Sequence, residues 1–363
     1  MKRTTASVIL FLALLTGALN AQDKVINTDN EYRDPWIEAY AGLGYYCWDL
    51  SYLSGGNLFD NDIDPFILKK FELRGNLRLL KLGLNYFTSR FDDMFNTTDE
   101  ADVAKENDPL ARQLAMLAGI ELGPVVISAD AKFRKFQGTI TSNGKDLSGG
   151  GSVESIVYTS SGPEYLAKGD RLTWYSMVRD YTLKVGTPWR RKTGFNFAME
   201  FGARMVEYAS PVMIDVAEHI GTGSGHTTGL FVSDITQYFI GFSFWMNYTW
   251  ANGFYWDWAL PAYLGANRLE NPYLDMGPGN TYTFSSSGKL ASGYRTGNVR
   301  FELGFDYDFF ISNSMYTSRL KRNVAYYTPL GDPAIMSAGA QVDSEFVRME
   351  IFWGIYLHAT VMF

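Results

Sequence analysis

The stretch that leaves this chain least freedom is its last one, Arg348 to Phe363. Ile351, Trp353, Ile355, Leu357, Val361 and Phe363 are apolar at alternate positions, broken only by Ala359. Between them stand Glu350, Gly354, Tyr356, His358 and Thr360. A repeat of two puts each set on its own face of an extended strand. A strand of this length with one greasy face needs a large apolar partner, either a second sheet or hydrocarbon.

This amphipathic final strand ending in Phe resembles the closing strand of Gram-negative outer-membrane β-barrels. The resemblance implies an all-β fold, a transmembrane antiparallel up-and-down barrel. It also implies that Trp353, Ile355, Leu357, Val361 and Phe363 act as the assembly signal read by the barrel assembly machinery. His358 stands where that signal usually has Gly. The location implied is the bacterial cell outer membrane, with outer-membrane lipid and lipopolysaccharide as surroundings.

The other end of the chain fits an exported protein. Lys2 and Arg3 precede the apolar run Val8 to Leu15, and small residues follow at Ala18 and Ala21. This pattern reads as a secretory signal over 1–21. A lead over 22–35 and a barrel over 36–363 follow. Cys47 is the only cysteine, so there is no disulfide framework, no thiolate metal site and no lipid-anchored cysteine after the signal. Net charge is −7, with no basic domain to hold nucleic acid. Aromatics make up 16% of the chain and glycines number 35, which suits interfacial girdles and tight turns. A mean hydropathy of −0.13 excludes a helical bundle in a bilayer. It agrees with a barrel, in which only alternate residues meet lipid.

Alternation recurs along the chain. Ile37 to Tyr45 opens it, and Tyr45, Tyr46 and Trp48 then fall at the outer interface. Phe71, Leu73 and Leu77 give way to Leu80, Leu82, Leu84 and Tyr86 in the opposite phase, which predicts a tight turn near Arg78 to Leu80. Leu114 to Ile120 and Val125 to Phe133 flank Gly123-Pro124 in the same manner. A strand from Leu172 to Gly186 puts Arg179 on the apolar side. A short turn over Pro188 to Lys192 leads to Phe195 through Met205. A glycine-rich loop is expected over 209–233, and a strand from Thr236 to Tyr248. Phe254 to Leu260 is followed by a loop to Arg295. Val299 to Phe309 alternates most cleanly, and Met315 to Tyr327 is counted as a further strand. Short turns thus alternate with long loops, as periplasmic turns and extracellular loops do in outer-membrane barrels. The count is about twelve strands, within ten to fourteen. A secreted β-sandwich is the competing fold, because it also alternates.

If the apolar face meets lipid, the other face lines the interior. The residues expected there are Lys70, Glu72, Arg74, Arg78, Asp130, Lys132, Arg134, Glu200, Arg204, Arg300, Glu302, Asp306, Arg348 and Glu350. Acids and bases nearly balance, so strong ion selectivity is not expected. Glu72 with Arg74, and Arg300 with Glu302, are spaced to pair.

No motif carries other chemistry well. Asp60, Asp62 and Asp64 begin like a calcium loop, but Pro65 replaces the turn glycine and no closing Glu follows. The acidic run from Asp92 to Asp108 reads as a solvated loop. Gly221 to His226 lacks the Lys-Ser/Thr of a phosphate loop. Trp189 to Lys192 is a basic turn that touches lipid phosphates or water equally well. No cofactor or metal is expected, and no Ser/His or Asp/His pair has a defensible spacing, so no enzyme is expected. Three classes of function stay open. They are a narrow porin-like channel for small hydrophilic solutes, a filled barrel with a structural or surface-contact role, and an enzyme at the barrel rim. An occluded lumen favours the second. A histidine within reach of a carboxylate or Ser224 favours the third.

Overall fold

The computed structural model describes residues 37–51, 59–61, 65–77, 79–89, 110–142, 155–188, 193–220, 223–327 and 333–363. The expected signal and lead, Arg78, Asp62 to Asp64, the acidic run 92–108 and Trp189 to Lys192 lie outside them.

The described chain is all strand, joined by turns. In order come β1 (Ile37–Ser51), β2 (Phe59–Asn61), β3 (Phe66–Leu77), β4 (Leu80–Thr88), β5 (Leu110–Leu122) and β6 (Val125–Ser142). Then follow β7 (Ser155–Thr159), β8 (Gly162–Leu166), β9 (Arg171–Gly186), β10 (Gly194–Ile220), β11 (Gly223–Thr249) and β12 (Phe254–Glu270). The last are β13 (Leu274–Thr296), β14 (Val299–Leu320), β15 (Val324–Tyr327), β16 (Pro333–Met336) and β17 (Gln341–Met362).

Twelve of these close into a ring, in the order β1, β3, β4, β5, β6, β9, β10, β11, β12, β13, β14, β17 and back to β1. Every neighbouring pair is antiparallel. Closure satisfies the backbone of each strand from both sides, which a sheet in hydrocarbon requires. The tight turns gather at one end. Leu122 faces Val125 across Gly123, whose φ of 65° is open to glycine at little cost, and Thr296 faces Val299 across Gly297 in the same way. The two ends of the ring meet there too, where the Phe363 N–H donates to the Ile37 carbonyl at 2.8 Å.

Every strand of the ring shows a large apolar side chain on its outer face. Leu43, Leu73, Leu84, Ile120, Ile127, Leu183, Phe201, Ile240, Leu264, Leu290, Leu303 and Leu357 are all exposed, Ile240 by 74%. A soluble sandwich hides such rows between its sheets. Here they face outward around the whole circumference, so the sandwich is excluded.

Three elements differ from expectation. The glycine-rich loop over 209–233 is strand, because β10 and β11 stay paired residue by residue to Ile220↔Gly223. Its outer face is polar there, so the lipid signature fades, while Val212, Ile214 and Val216 remain buried on the inner face. The loop expected up to Arg295 contains all of β13. Its run Ser285-Ser286-Ser287-Gly288 hides the alternation, and the small residue is needed, since a Cβ on Gly288 would meet the Tyr307 ring at 2.2 Å. Met315 to Tyr327 is not a separate strand; its first half is the top of β14 and its second half includes β15. The total of twelve stands because one strand missed and one strand overcounted offset each other.

β10 and β11 have 27 residues each, whereas a tilted crossing needs only about ten. Their upper parts form a second structure. Pairing of β1 with β17 stops at Ser51↔Met349, and pairing of β9 with β10 stops at Met177↔Ala209. Beyond those points β10 and β17 each have a freed edge. The edges meet, in register from Ile214↔Phe346 to Glu218↔Val342. Strands β10 to β14 and β17 thus close on themselves, as a six-stranded barrel raised on the twelve-stranded one. Val212, Ile214, Phe231, Tyr273, Leu320 and Phe346 belong to its core. The β7–β8 hairpin extends it, with Phe231 beside Tyr158, and the Tyr158 hydroxyl donates to the Ala325 carbonyl of β15 at 2.6 Å.

Candidate functional site

The interior is the candidate site, because the inner faces of all twelve strands converge there. It divides into levels. At the short-turn end the floor is polar and tightly bonded. Glu302, 3% exposed, accepts from the Tyr255 hydroxyl at 2.9 Å and the Tyr356 hydroxyl at 2.9 Å, and pairs with Lys289 at 2.5 Å. Arg300 reaches Glu38 at 3.5 Å and donates to the Tyr40 hydroxyl at 2.7 Å. His358 is stacked on Tyr356 in this layer. Three donors around one carboxylate hold this side rigid.

Beside this floor lies a chamber of about 550 Å³. It runs from Asn76 and Thr187, next to the short turns, up to Phe87 and Phe352. Lys70, Lys132, Glu200 and Asp306 line it. Ion pairs cross-brace it: Lys70 with Asp306 at 2.6 Å, Asp130 with Lys184 at 2.6 Å, and Lys81 with Glu121 at 2.8 Å. Arg134 on β6 meets Asp308 on β14 at 2.6 Å. Those strands are six places apart in the ring either way, so this bond spans the lumen.

Above the chamber the lumen is filled. Trp48 from β1 and Phe352 from β17 each come within 4.9 Å, centroid to centroid, of Phe136 on β6. Phe352 also stacks on Tyr46 and Phe87 at 5.1 and 6.0 Å. Leu68, Ile140, Trp174 and Leu230 complete this cluster, all buried. Gly44 and Gly354 make room for it, since a Cβ on either would meet the Tyr46 ring at 2.4 Å. At the same height the other half of the ring is sealed by Arg204. It donates to both carboxylate oxygens of Asp180 at 2.9 and 2.8 Å and to Ser285 at 2.6 Å, with the Phe239, Tyr263 and Phe310 rings around it. Between the two halves stands Arg348 of β17. It pairs with Glu350, lies over the Tyr208 ring at 4.2 Å and reaches Ser176 of β9, six places around the ring, at 3.4 Å. Glu350 accepts from Trp48 at 2.8 Å. The upper lumen is therefore pinched into two packed lobes.

An apolar, exposed outer face, a charged and braced inner face, and a closed antiparallel ring with its tight turns at one end now stand together. The architecture is that of an outer-membrane β-barrel. No protein-family model matches the chain, and no curated protein matches it in sequence. Solved structures similar to it include the outer membrane protease OmpT from Escherichia coli, 11% identical over 93% of this chain and 100% of that one, with a TM-score of 0.35. The Ralstonia pickettii toluene transporter TbuX is 9% identical over 92% and 90%, at 0.33. A Pseudomonas aeruginosa FadL homologue is 12% identical over 90% and 89%, at 0.31. The likeness is of barrel to barrel.

The expected interior residues are brought together, apart from Arg78, which lies outside the described residues. Lys70, Glu72, Arg74, Asp130, Lys132, Arg134, Glu200 and Asp306 line the chamber. Arg204, Arg300, Glu302, Arg348 and Glu350 are buried beside or above it. Glu72 and Arg74 pair as expected, but Arg300 and Glu302 part to Glu38 and Lys289. Of the expected assembly strand, Trp353, Ile355, Leu357 and Phe363 are exposed on the outer face, while Val361 is covered by Val299. Tyr46 and Trp48 were expected at the outer interface and instead point inward, because they sit on the even, inner register of β1 with Glu38 and Tyr40. Phe136 and Phe352 carry no sequence signal that marks them as filling. The one available signal was parity, since each falls among the charged residues of its strand. Arg179 does face outward, loosely opposite Glu207 at 3.9 Å.

The rim-enzyme geometry is loose. His226 Nε2 is 4.0 Å from Asp215, beyond hydrogen-bond length. Asp215 lies on the raised barrel, directly opposite Glu345 in the β10–β17 seam. Burial pushes its carboxyl above the usual range, Glu345 adds to this, and His226 works against it. A carboxyl that binds its proton more tightly when folded stabilises the fold below its ordinary range. It withdraws that stability as pH rises through its raised value. Asp215→Asn is therefore expected to remove this loss and to stabilise the raised barrel by about 0.2–1 kcal/mol near neutral pH, the size of a directly opposed like-charge pair. Proteolysis of the raised barrel against pH, compared between the two proteins, reads it.

Proposed function

We propose that this protein sits in the bacterial outer membrane as a barrel closed to through-passage, and that it acts through the six-stranded barrel raised above the membrane surface. The observation that carries this reading is the pinched upper lumen, where Trp48, Phe136 and Phe352 fill one lobe and the β10–β17 seam shuts off the other. An ion-lined interior by itself suggests an open channel, but the cross-lumen contacts leave the chamber blind. The short-turn end faces the periplasm in this reading, so the chamber opens inward and the raised barrel outward. That barrel is a contact surface rather than an enzyme. The 4.0 Å separation of His226 from Asp215 supports the distinction. The terminal strand from Trp353 to Phe363 is what the barrel assembly machinery would read.

Planar-bilayer recording of the refolded protein tests it. The unaltered protein is expected to be electrically silent while migrating as a folded, heat-modifiable band. Steady single-channel steps would overturn the reading. The chamber itself favours one other reading, a solute channel whose filling moves aside. It predicts steps that appear on applying voltage or a solute gradient.

A further inference from the structure

The pinch that closes the lumen also dents the outside of the barrel. A depression of about 900 Å³ is lined by the outer faces of β4, β5, β6, β9, β10 and β11. The outside of a round barrel is convex, so six successive strands share one hollow only where the wall bends inward. Here it bends because β9 and β10 are drawn across to β17 by Ser176, Tyr208 and the seam.

The register shows where this hollow sits. Across β5, β6, β9, β10 and β11 one outward row reads Met116, Ala131, Tyr181, Met205, Tyr238. It is apolar with tyrosines at two strands, as at the edge of hydrocarbon. The next row reads Leu114, Phe133, Arg179, Glu207, Thr236 and the one above it Arg112, Lys135, Met177, Ala209, Asp234. The hollow spans these two upper rows, at the step from lipid tails to headgroups. Its lower part offers Leu114 and Phe133. One wall of its upper part carries Arg112, Lys135 and Arg179 on three adjacent strands. Arg112 and Lys135 are direct cross-strand partners, an arrangement that costs energy unless an anion shares them. Glu207 and Asp234 stand on the facing wall and keep an anion to the basic side.

We infer that this hollow holds an outer-leaflet glycolipid phosphate. An acyl chain would fill the apolar part against Leu114 and Phe133, and the phosphate would lie between Arg112, Lys135 and Arg179. Guanidinium groups match a phosphate with paired donors, and such charge-assisted bonds are about twice as strong as neutral ones. A soluble anion gains nothing from the apolar half, and an uncharged lipid gains nothing from the cations. The inference needs the barrel in a lipopolysaccharide-bearing membrane but does not need the lumen to be closed.

Native mass spectrometry of the detergent-purified protein with diphosphorylated lipid A tests it. The intact protein is expected to retain the lipid, and Arg112→Ala/Lys135→Ala/Arg179→Ala to bind it about ten-fold more weakly, about 1.4 kcal/mol. Leu114→Trp, which fills the hollow without changing charge, is expected to weaken it too. The conservative set Arg112→Lys/Lys135→Arg/Arg179→Lys keeps binding and shows that the site tolerates substitution. Arg268→Ala, one strand beyond the hollow in the row of Arg179, leaves it unchanged. Equal retention of lipid A stripped of phosphate would overturn the inference. So would unchanged binding by the triple alanine variant, or displacement of the lipid by millimolar inorganic phosphate.

Discussion

Phe87→Ala/Phe136→Ala/Phe352→Ala is expected to turn a silent barrel into one that passes ions. The three rings form the contact between the chamber and the packed lobe above it. Phe136 is 1% exposed and touches both Trp48 and Phe352 across the lumen. Truncating a buried Phe costs about 3–5 kcal/mol in a dry core, because a cavity is left. Here the space joins a chamber already lined by Lys70, Asp306 and Arg134, so water can enter it and the cavity part of the cost falls. The ring itself does not depend on these side chains, since its backbone pairing is complete without them. Single-channel recording of the variant beside the intact protein reads the difference. Folded variant protein that stays silent would mean that the aromatic cluster is not what blocks the path.

Arg204→Met is expected to destabilise the barrel by about 3–5 kcal/mol in urea unfolding from lipid vesicles, among the largest single-site effects in the molecule. Arg204 and Asp180 have side chains 5% exposed, and their two parallel hydrogen bonds satisfy both carboxylate oxygens. Removing the guanidinium leaves a buried carboxylate with only Lys132, 4.0 Å away, to answer it. Desolvation then dominates, because the ammonium is too far to form a hydrogen bond. Arg204→Met/Asp180→Leu removes both charges and is expected to recover most of the loss. If the single variant costs under about 1 kcal/mol, the pair is wet, and the lobe around Phe239 and Phe310 is not closed.

The barrel was legible in the sequence wherever a strand lies in hydrocarbon. Val299 to Phe309 and Ile351 to Phe363 alternate because one neighbour is lipid and the other is a charged interior. The signal failed where either condition lapsed. Above the bilayer the outer residues of β10 and β11, such as Thr228 and Asp234, are polar, and a paired strand reads as loop. In β13 the neighbouring Tyr307 requires Gly288, and the alternation is lost to a small residue. The lining residues from Lys70 to Glu350 were legible by parity alone. Their partners across the lumen were not, because Arg134 meets Asp308, and Phe136 meets Phe352, only once the ring's cross-section is known. Nor does any local pattern announce that β10 and β17, distant in the chain, share an edge.

The seam between those two strands is what divides the lumen, and a disulfide tests it most directly. In a Cys47→Ser background, Ala217→Cys and Asp343→Cys place two thiols at directly paired positions of β10 and β17. Paired positions in antiparallel strands are about 4.5–5.5 Å apart at Cα, within the span a disulfide bridges. Mild oxidation of intact outer membranes is expected to join them nearly completely, seen as a mobility shift that reductant reverses. Thiols that stay reduced in folded barrels, while a control pair at Glu207 and Thr236 on β10 and β11 oxidises, would show one undivided ring and contradict the account.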